Sequence, residues 1–517
     1  MKTKRWRVIL AVVAVFVLGA TLFGFWFHAH GARAVAAYQR QLVAAGEKLT
    51  VDELLPPPVP PAENGVTVFR QATASWRTAS GVLATNPPLP MRMVKAGKAQ
   101  VGWAQPVVRG DSSGGGSEST NSWEDVEAAI ALNEPAFELL GQLIDHPRLD
   151  FQLDYRGGFA AIAFVHLTEL KRATQTLTAA TLCDLHRGDC NSAARRIRTS
   201  LALLKGDSNE RIIISQLVRI ARAHIAAPAT WEFLQAPGIN EAQLATLQHD
   251  WSELEFLHSA EGSLAMERVM FQQMFDSMRQ SSAVFRQQIT VFGPAAASGS
   301  WFQRFSSAAV LKTKESLWRA ALSYPDQLRG LKGQQALIEG IRKAEREHCF
   351  AGAFEQQNQQ LTGLGLTPRN EDSESWLAKL DELDFASFSK TAVLSLERFI
   401  HRVYSAEATR QIVVAAIALK RFQLRHGALP ASLAELVPDL VPEVPRDPMD
   451  GQPLRYRLKE DGSFLLYSIG DDGHDDGGDA SSTQNYLSFT WQRGRDLVWP
   501  QPATAEEVQK YFESKKK

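Results

Sequence analysis

Between Ser468 and Ala480 the chain reads Ile469-Gly470-Asp471-Asp472-Gly473-His474-Asp475-Asp476-Gly477-Gly478-Asp479. Five carboxylates within nine residues repel one another unless a cation or water separates them. Hard oxygen donors on a tight path that glycine permits are the ligands Ca²⁺ takes. Asp471, Asp475, Asp476 and Asp479 are the candidate calcium ligands, with a backbone carbonyl of Ser468 or Ile469 completing the shell. The spacing is not that of an EF-hand. Counted from Asp472, His474 stands where Asp or Asn is needed and Thr483 where Glu is needed. A solvated acidic turn is the alternative reading of the same residues.

Elsewhere, residue types that support catalysis are scattered. Gly110-Asp111-Ser112-Ser113-Gly114 matches the string of a nucleophile elbow, but it lies in a Ser/Gly run rather than between a strand and a helix. His166, His186, His224, His249 and His258 are spread over helices, without two His flanking a Glu at i, i+4. They read as surface or satisfied core side chains. No Gly-rich phosphate loop follows a strand, so a nucleotide has no support. A net charge of −1 lacks the concentrated basic face of a nucleic-acid binder. Arg195, Arg196, Arg198, Arg211, Arg219 and Arg222 lean positive and read as a solvated face, with a groove for an acidic partner as the alternative. Cys183 and Cys190 flank a helix–helix turn that would permit a disulfide if it brought them together, and buried thiols are the other reading. No catalytic residue is assigned, and the chain is read as non-enzymatic.

The acidic loop needs elements to position it. Leu394–Arg425 is a long run with helical periodicity, ending at His426-Gly427-Ala428-Leu429-Pro430. Beyond Pro430 the period drops toward two, in Leu454–Leu458 and Phe464–Ile469. These are two short strands joined by Lys459-Glu460-Asp461-Gly462, whose Asp-Gly pair signals a hairpin. Upstream, helical periodicity dominates from Trp123 to about Phe285. Gly188-Asp189 separates two helices and Asn240 is placed as an N-cap. Trp491 and Trp499 read as caps on the core of the small C-terminal module.

The N-terminus is of another kind. Lys2, Lys4, Arg5 and Arg7 precede Val8–Phe27, twenty residues without a charge, which as a helix would span about 30 Å. Basic residues stay on the cytoplasmic side, so the remainder is expected across the membrane. A cleaved signal peptide ending near Ala32-Arg33-Ala34 is the rival reading. Pro56-Pro57-Pro58 and Pro60-Pro61 read as a stiff spacer that lifts the following residues off the membrane.

The C-terminal order of helix, Val444-Pro445-Arg446-Asp447-Pro448, two strands and Asp/Gly loop resembles the soluble head of the type II secretion major pseudopilin. That resemblance implies a small sheet beside a long helix and a calcium-holding loop. The helix is internal here, and Val8–Phe27 carries no pseudopilin processing site, so filament assembly is not implied. The whole chain also resembles uncharacterised membrane-anchored proteins of planctomycete-type bacteria.

The expected fold is mainly α. It has an N-terminal transmembrane helix, a multi-helix extracytoplasmic region, and a small α+β C-terminal module with a short antiparallel sheet. The expected divisions are an anchor over 1–30, a stalk with Pro-rich spacer and irregular loop over 31–122, a helical region over 123–393, the head-like module over 394–499 and a basic tail over 500–517. The expected role is a single-pass protein of the bacterial inner membrane with its C-terminal region in the periplasm. It would be a scaffold with a calcium-stabilised head, linked to an envelope or secretion partner. The alternative is a periplasmic hydrolase whose active site is assembled from distant residues.

Overall fold

The structure is a computed structural model that describes residues 2–77, 82–85, 88–109, 120–292, 312–313, 315–366, 388–470, 472–481 and 495–515. The side chains of 2–18, 20–23, 84, 85, 160 and 289–292 are outside that description. The Gly110–Gly114 string, Asp471 and Trp491 therefore lie outside the described residues.

In chain order the helices are α1 (Lys2–Ala44), α2 (Val51–Leu54), α3 (Val66–Ala74), α4 (Val82–Thr85), α5 (Trp123–Ala131), α6 (Glu134–Gly141), α7 (Val165–His186) and α8 (Cys190–Gly206). They continue with α9 (Ile213–Leu234), α10 (Glu241–Ser252), α11 (Phe256–Gln280), α12 (Ser282–Phe292), α13 (Ser323–Glu347), α14 (Ala351–Gly363), α15 (Phe388–His426) and α16 (Ala505–Lys515). The strands are β1 (Arg92–Lys95), β2 (Lys98–Gln100), β3 (Val108–Arg109), β4 (Thr120–Asn121), β5 (Arg455–Leu458), β6 (Phe464–Ser468), β7 (Leu497–Val498) and β8 (Gln501–Pro502). The protein is mainly helical. Small antiparallel pairings join β5 to β6 and β6 to β7, and β8 pairs in parallel with β2.

Local sequence explains several boundaries. Asp189 caps α8 by accepting from the Ser192 amide at 3.0 Å. Asn240 and Gln243 form a reciprocal capping box at the start of α10. Cys183 and Cys190 are buried free thiols rather than a bridge, and burial pushes Cys183 up to about 12.

Helix α15 packs against α9, α10, α11 and α13, and one apolar cluster runs from these helices into Leu436, Leu466 and Trp499 of the head. The core thus continues from the helical region into the head without a break. A second cluster lies under α3, α5, α6 and α7, around Phe69 and Phe137. A third, mostly aromatic, gathers Phe275, Phe285, Trp318 and Phe388 beside Val35 of α1.

Among the described residues no helix is long and apolar enough to cross a membrane, and the anchor expected at Val8–Phe27 falls mostly on side chains outside the description. From His28 onward α1 lies on the body. His28 meets Tyr324 edge-on at 4.8 Å, and Val35 and Leu42 are buried. The helix ends in a Schellman turn at Gly46 (φ +87°), with Glu47 N–H donating to Leu42 O and Gly46 N–H to Val43 O, each at 3.0 Å. That turn delivers Glu47 inward to Arg268 (3.0 Å), Gln335 (2.9 Å) and Arg342. Burial opposes the Glu47 charge, but hydrogen bonds from Arg342, Gln335 and Arg268 prevail and hold its carboxyl down to about 2.

Three expectations are corrected by tertiary packing. The Pro56–Pro61 stretch is not a free-standing spacer, because Val51 and Leu54 before it and Val66 and Phe69 after it are all buried in the body. Residues 501–515 are not a loose tail: β8 pairs with β2, and Glu507 of α16 bonds Lys95 and Lys98 at 2.7 and 3.0 Å. The arginine run is not one solvated face: Arg195 is exposed, whereas Arg219 and Arg222 are fully buried. Arg219 Nε donates to Leu204 O at 2.6 Å and Arg222 Nη1 to Leu203 O at 3.3 Å. Both thereby satisfy carbonyls left without helical partners at the end of α8, where the helix dipole also favours a cation. Arg222 is charge-paired with buried Asp207.

Candidate functional site

The head begins where α15 ends. Strands β5 and β6 pair from Arg455 with Tyr467 to Leu458 with Phe464, closed by a turn in which Lys459 N–H donates to Ser463 O at 2.8 Å. Beneath this hairpin sits Asp447, fully buried. Its carboxylate accepts from Ser468 Oγ (2.7 Å), Ile469 N (2.9 Å), Met449 N (3.0 Å) and Arg455 Nη1 (3.2 Å). Burial nonetheless pushes its carboxyl up. Arg455 reaches further, to Asp450 at 2.6 Å and Asp475 at 3.2 Å, so one guanidinium ties the hairpin to the acidic loop.

The loop leaves β6 at Gly470 (φ +76°). A Cβ there would stand 2.6 Å from Arg495 O, so the approach of these two backbones requires glycine. A second buried carboxylate, Asp496, gathers the far side of the loop. It accepts from Gly478 N at 2.7 Å and Asp479 N at 3.1 Å, with a longer contact to Asp476 N at 3.4 Å. The loop is shaped by two buried aspartates that hold backbone and by two arginines, Arg455 and Arg495, that face its side chains.

Against this frame the expected ligands separate. Asp471 is outside the described residues. Asp475 accepts from Tyr467 Oη (2.9 Å), Gly477 N (3.0 Å) and Arg455 Nε (3.2 Å), and the Gly477 amide leads the effects that hold its carboxyl low. Asp479 accepts from Ser481 N and Oγ, both at 2.9 Å, and Asp476 faces Arg495 at 3.6 Å. Ser468 and Ile469, expected to lend carbonyls, bond Asp447 through the Ser468 hydroxyl and the Ile469 amide. Among the described residues no three His, Cys, Asp or Glu side chains gather closely enough to hold a metal ion. Arginine, tyrosine, serine and backbone donors answer the loop's charge in this arrangement.

The same loop walls a groove that the linear sequence does not reveal. A cavity of about 670 Å³ lies between α14, α15 and Gly470, Asp472 and Gly473. Phe350 stacks on Tyr404 (3.8 Å) and Phe354 meets His401 edge-on (5.0 Å) along its floor. The Tyr404 hydroxyl is buried without a hydrogen-bond partner among the described residues, and burial raises its pKa. Glu355, Asn358 and Gln359 form a polar rim. These residues are far apart in the chain, and the head, through Gly470, Asp472 and Gly473, forms one side of the groove.

A second cavity, of about 570 Å³, contains the one scattered histidine that meets a carboxylate in a pocket among the described residues. His166 Nε2 stands 2.9 Å from Glu210 Oε1, both side chains are buried, and the ring stacks on Phe151 at 4.3 Å. Among the described residues neither Ser nor Cys lines that cavity, and Thr73 alone brings a hydroxyl to it. His186 instead bonds Trp103 O at 2.8 Å and stacks on Trp123.

No protein-family model, curated protein or solved structure matches the chain.

Proposed function

We propose that this protein is a membrane-anchored extracytoplasmic scaffold, in which the groove between α14, α15 and the acidic loop receives an apolar segment of an envelope or secretion component. The groove carries the reading: an aromatic floor, a polar rim and an unpartnered Tyr404 hydroxyl suit an amphipathic helix laid in a groove. Phe25 and Trp26 support the anchor. They are exposed just where α1 leaves the body, and exposed aromatics are favoured at a membrane interface. The bacterial inner membrane as location, with the body in the periplasm, belongs to the same proposal, as does kinship with pseudopilin heads.

Calcium is the finer part of the proposal. Asp475, Asp476 and Asp479, with Asp471, would supply the oxygen donors, in competition with Arg455 and Arg495. Asp472 and Gly473 of the same loop wall the groove, so an ion held there would bear on the groove's shape. Capture from solubilised membranes tests the scaffold reading. Phe354→Glu, at a half-buried floor position, should lose the proteins that wild type retains while keeping the wild-type fold. Recovery of the same proteins by both forms would remove the groove from the function.

The hydrolase reading rests on the His166–Glu210 pair. There, Glu210 would orient the imidazole and leave Nδ1 to accept a proton from water. Any ester or amide hydrolysis by the pure protein that persists unchanged in His166→Gln would end that reading.

A further inference from the structure

We infer that the cleft where α1 joins the body is a binding site for a phosphate-type oxyanion. It is a cavity of about 200 Å³, bounded by Gly46–Lys48, the turn between α8 and α9, α11, and Arg342 of α13. That is smaller than the roughly 300–1,000 Å³ of pockets for drug-sized ligands, so the occupant is a small group.

The charges are unequal. Among the described residues Lys48, Arg211, Arg268 and Arg342 line the cleft, with His258 beside them, against Glu47 and Glu261. Both carboxylates are already engaged. Glu47 takes Arg268, Arg342 and Gln335, and Glu261 takes Arg342 Nε at 2.6 Å. Among the described residues the Arg211 guanidinium and Lys48 ammonium have no ion pair or hydrogen bond of their own. Arg211 uses only its backbone amide, donating to Tyr155 Oη at 3.1 Å. The surplus is two positive charges.

Two observations separate this from an ordinary basic surface. Arg268 is completely buried, lines the cleft, and has an Nε–H with no acceptor among the described residues, although its other nitrogens serve Glu47, Gln335 and Lys48 O. Arg211 is half-buried, and burial, the largest influence, lowers its pKa. Half-buried cations left unanswered are costly, and an oxyanion in the cleft would answer the Arg211 guanidinium beside Lys48, with buried Arg268 adding its charge behind them. Guanidinium forks match phosphate oxygens, and a group carrying about −1.5 to −2 charge at neutral pH matches the surplus better than a monocarboxylate.

The test is calorimetric titration of the full-length protein with inorganic phosphate, and separately with glycerol 3-phosphate, against chloride at matched ionic strength. Saturable binding is expected, tightening with rising pH as the second proton leaves, at about pH 6 for glycerol 3-phosphate and about one unit higher for the free ion. Arg211→Met should weaken it by about tenfold to a hundredfold, the loss of one charge-assisted contact, with Arg211→Lys intermediate. Preference for glycerol 3-phosphate would identify a phosphate borne on a larger molecule, and equal or weaker binding would identify the free ion. Absence of saturable binding by either compound, or unchanged affinity in a folded Arg211→Met protein, overturns the inference. If Arg211→Met does not fold, exposed Lys48→Met decides on the same criterion.

Discussion

Glu232 gives the sharpest quantitative expectation. It lies on α9, wholly buried, and its Oε1 accepts from Met91 N at 2.6 Å and Gly102 N at 2.8 Å, clamping the β1–β2 hairpin to the helical body. Oε2 has no partner, and no cation among the described residues is paired with the group. Burial, opposed only partly by those amides, pushes its pKa from 4.5 up to about 8. The unfolded chain therefore releases this proton first and binds fewer protons than the folded one across that interval. Stability contributed by the protonated form is complete below about pH 4.5 and is lost as pH rises toward 8. At about 1.36 kcal/mol per pH unit, the ceiling on that loss is roughly 3–5 kcal/mol. Glu232→Gln keeps an oxygen for the two amides and cannot ionise. It should match wild type near pH 5 and exceed it by about 2–4 kcal/mol near pH 9. A chain of this size need not unfold in one step, so hydrogen exchange at the Met91 and Gly102 amides is the proper readout. Parallel loss of protection in both proteins across the range would show that Glu232 does not titrate there, and the clamp would need another account.

Two further expectations concern the head. Asp447→Ala leaves the Met449 and Ile469 amides buried without acceptors at about 1–3 kcal/mol each, so the head should lose roughly 2–5 kcal/mol of local stability by exchange at Ile469, and a loss below about 1 kcal/mol would contradict the network. Calcium titration followed by thermal unfolding with and without chelator tests the ligand proposal. A calcium-dependent rise in Tm, absent when Asp475 and Asp479 are both Asn, is expected, and no rise would leave the loop an acidic turn held by Arg455 and Arg495.

What could be read from the sequence was what local chemistry determines. Asn240 with Gln243 and Asp189 with Ser192 announce helix starts because the capping bonds span three residues. The β5–β6 hairpin was legible through alternation and Asp461-Gly462. What escaped depends on partners distant in the chain. Arg219 and Arg222 look solvated until the carbonyl end of α8 is placed against them. Asp447 and Asp496 look like two more acids, yet they hold the loop's frame because the fold buries them and brings amides to each. His166 and Glu210 lie 44 residues apart and meet only through the packing of α7 on the turn before α9.

The Schellman turn at Gly46 bears on reach. Had the roughly twenty residues around the Pro-rich stretch been a flexible leash, the body could have searched a radius of about 25 Å about its point of attachment. Instead α1 is clasped from His28 to Ala44 and locked at Glu47, so whatever holds its first turns fixes the tilt and height of everything else. On the proposal that a membrane holds residues 8–27, the body would drift with that mooring and present its groove at one elevation and one heading.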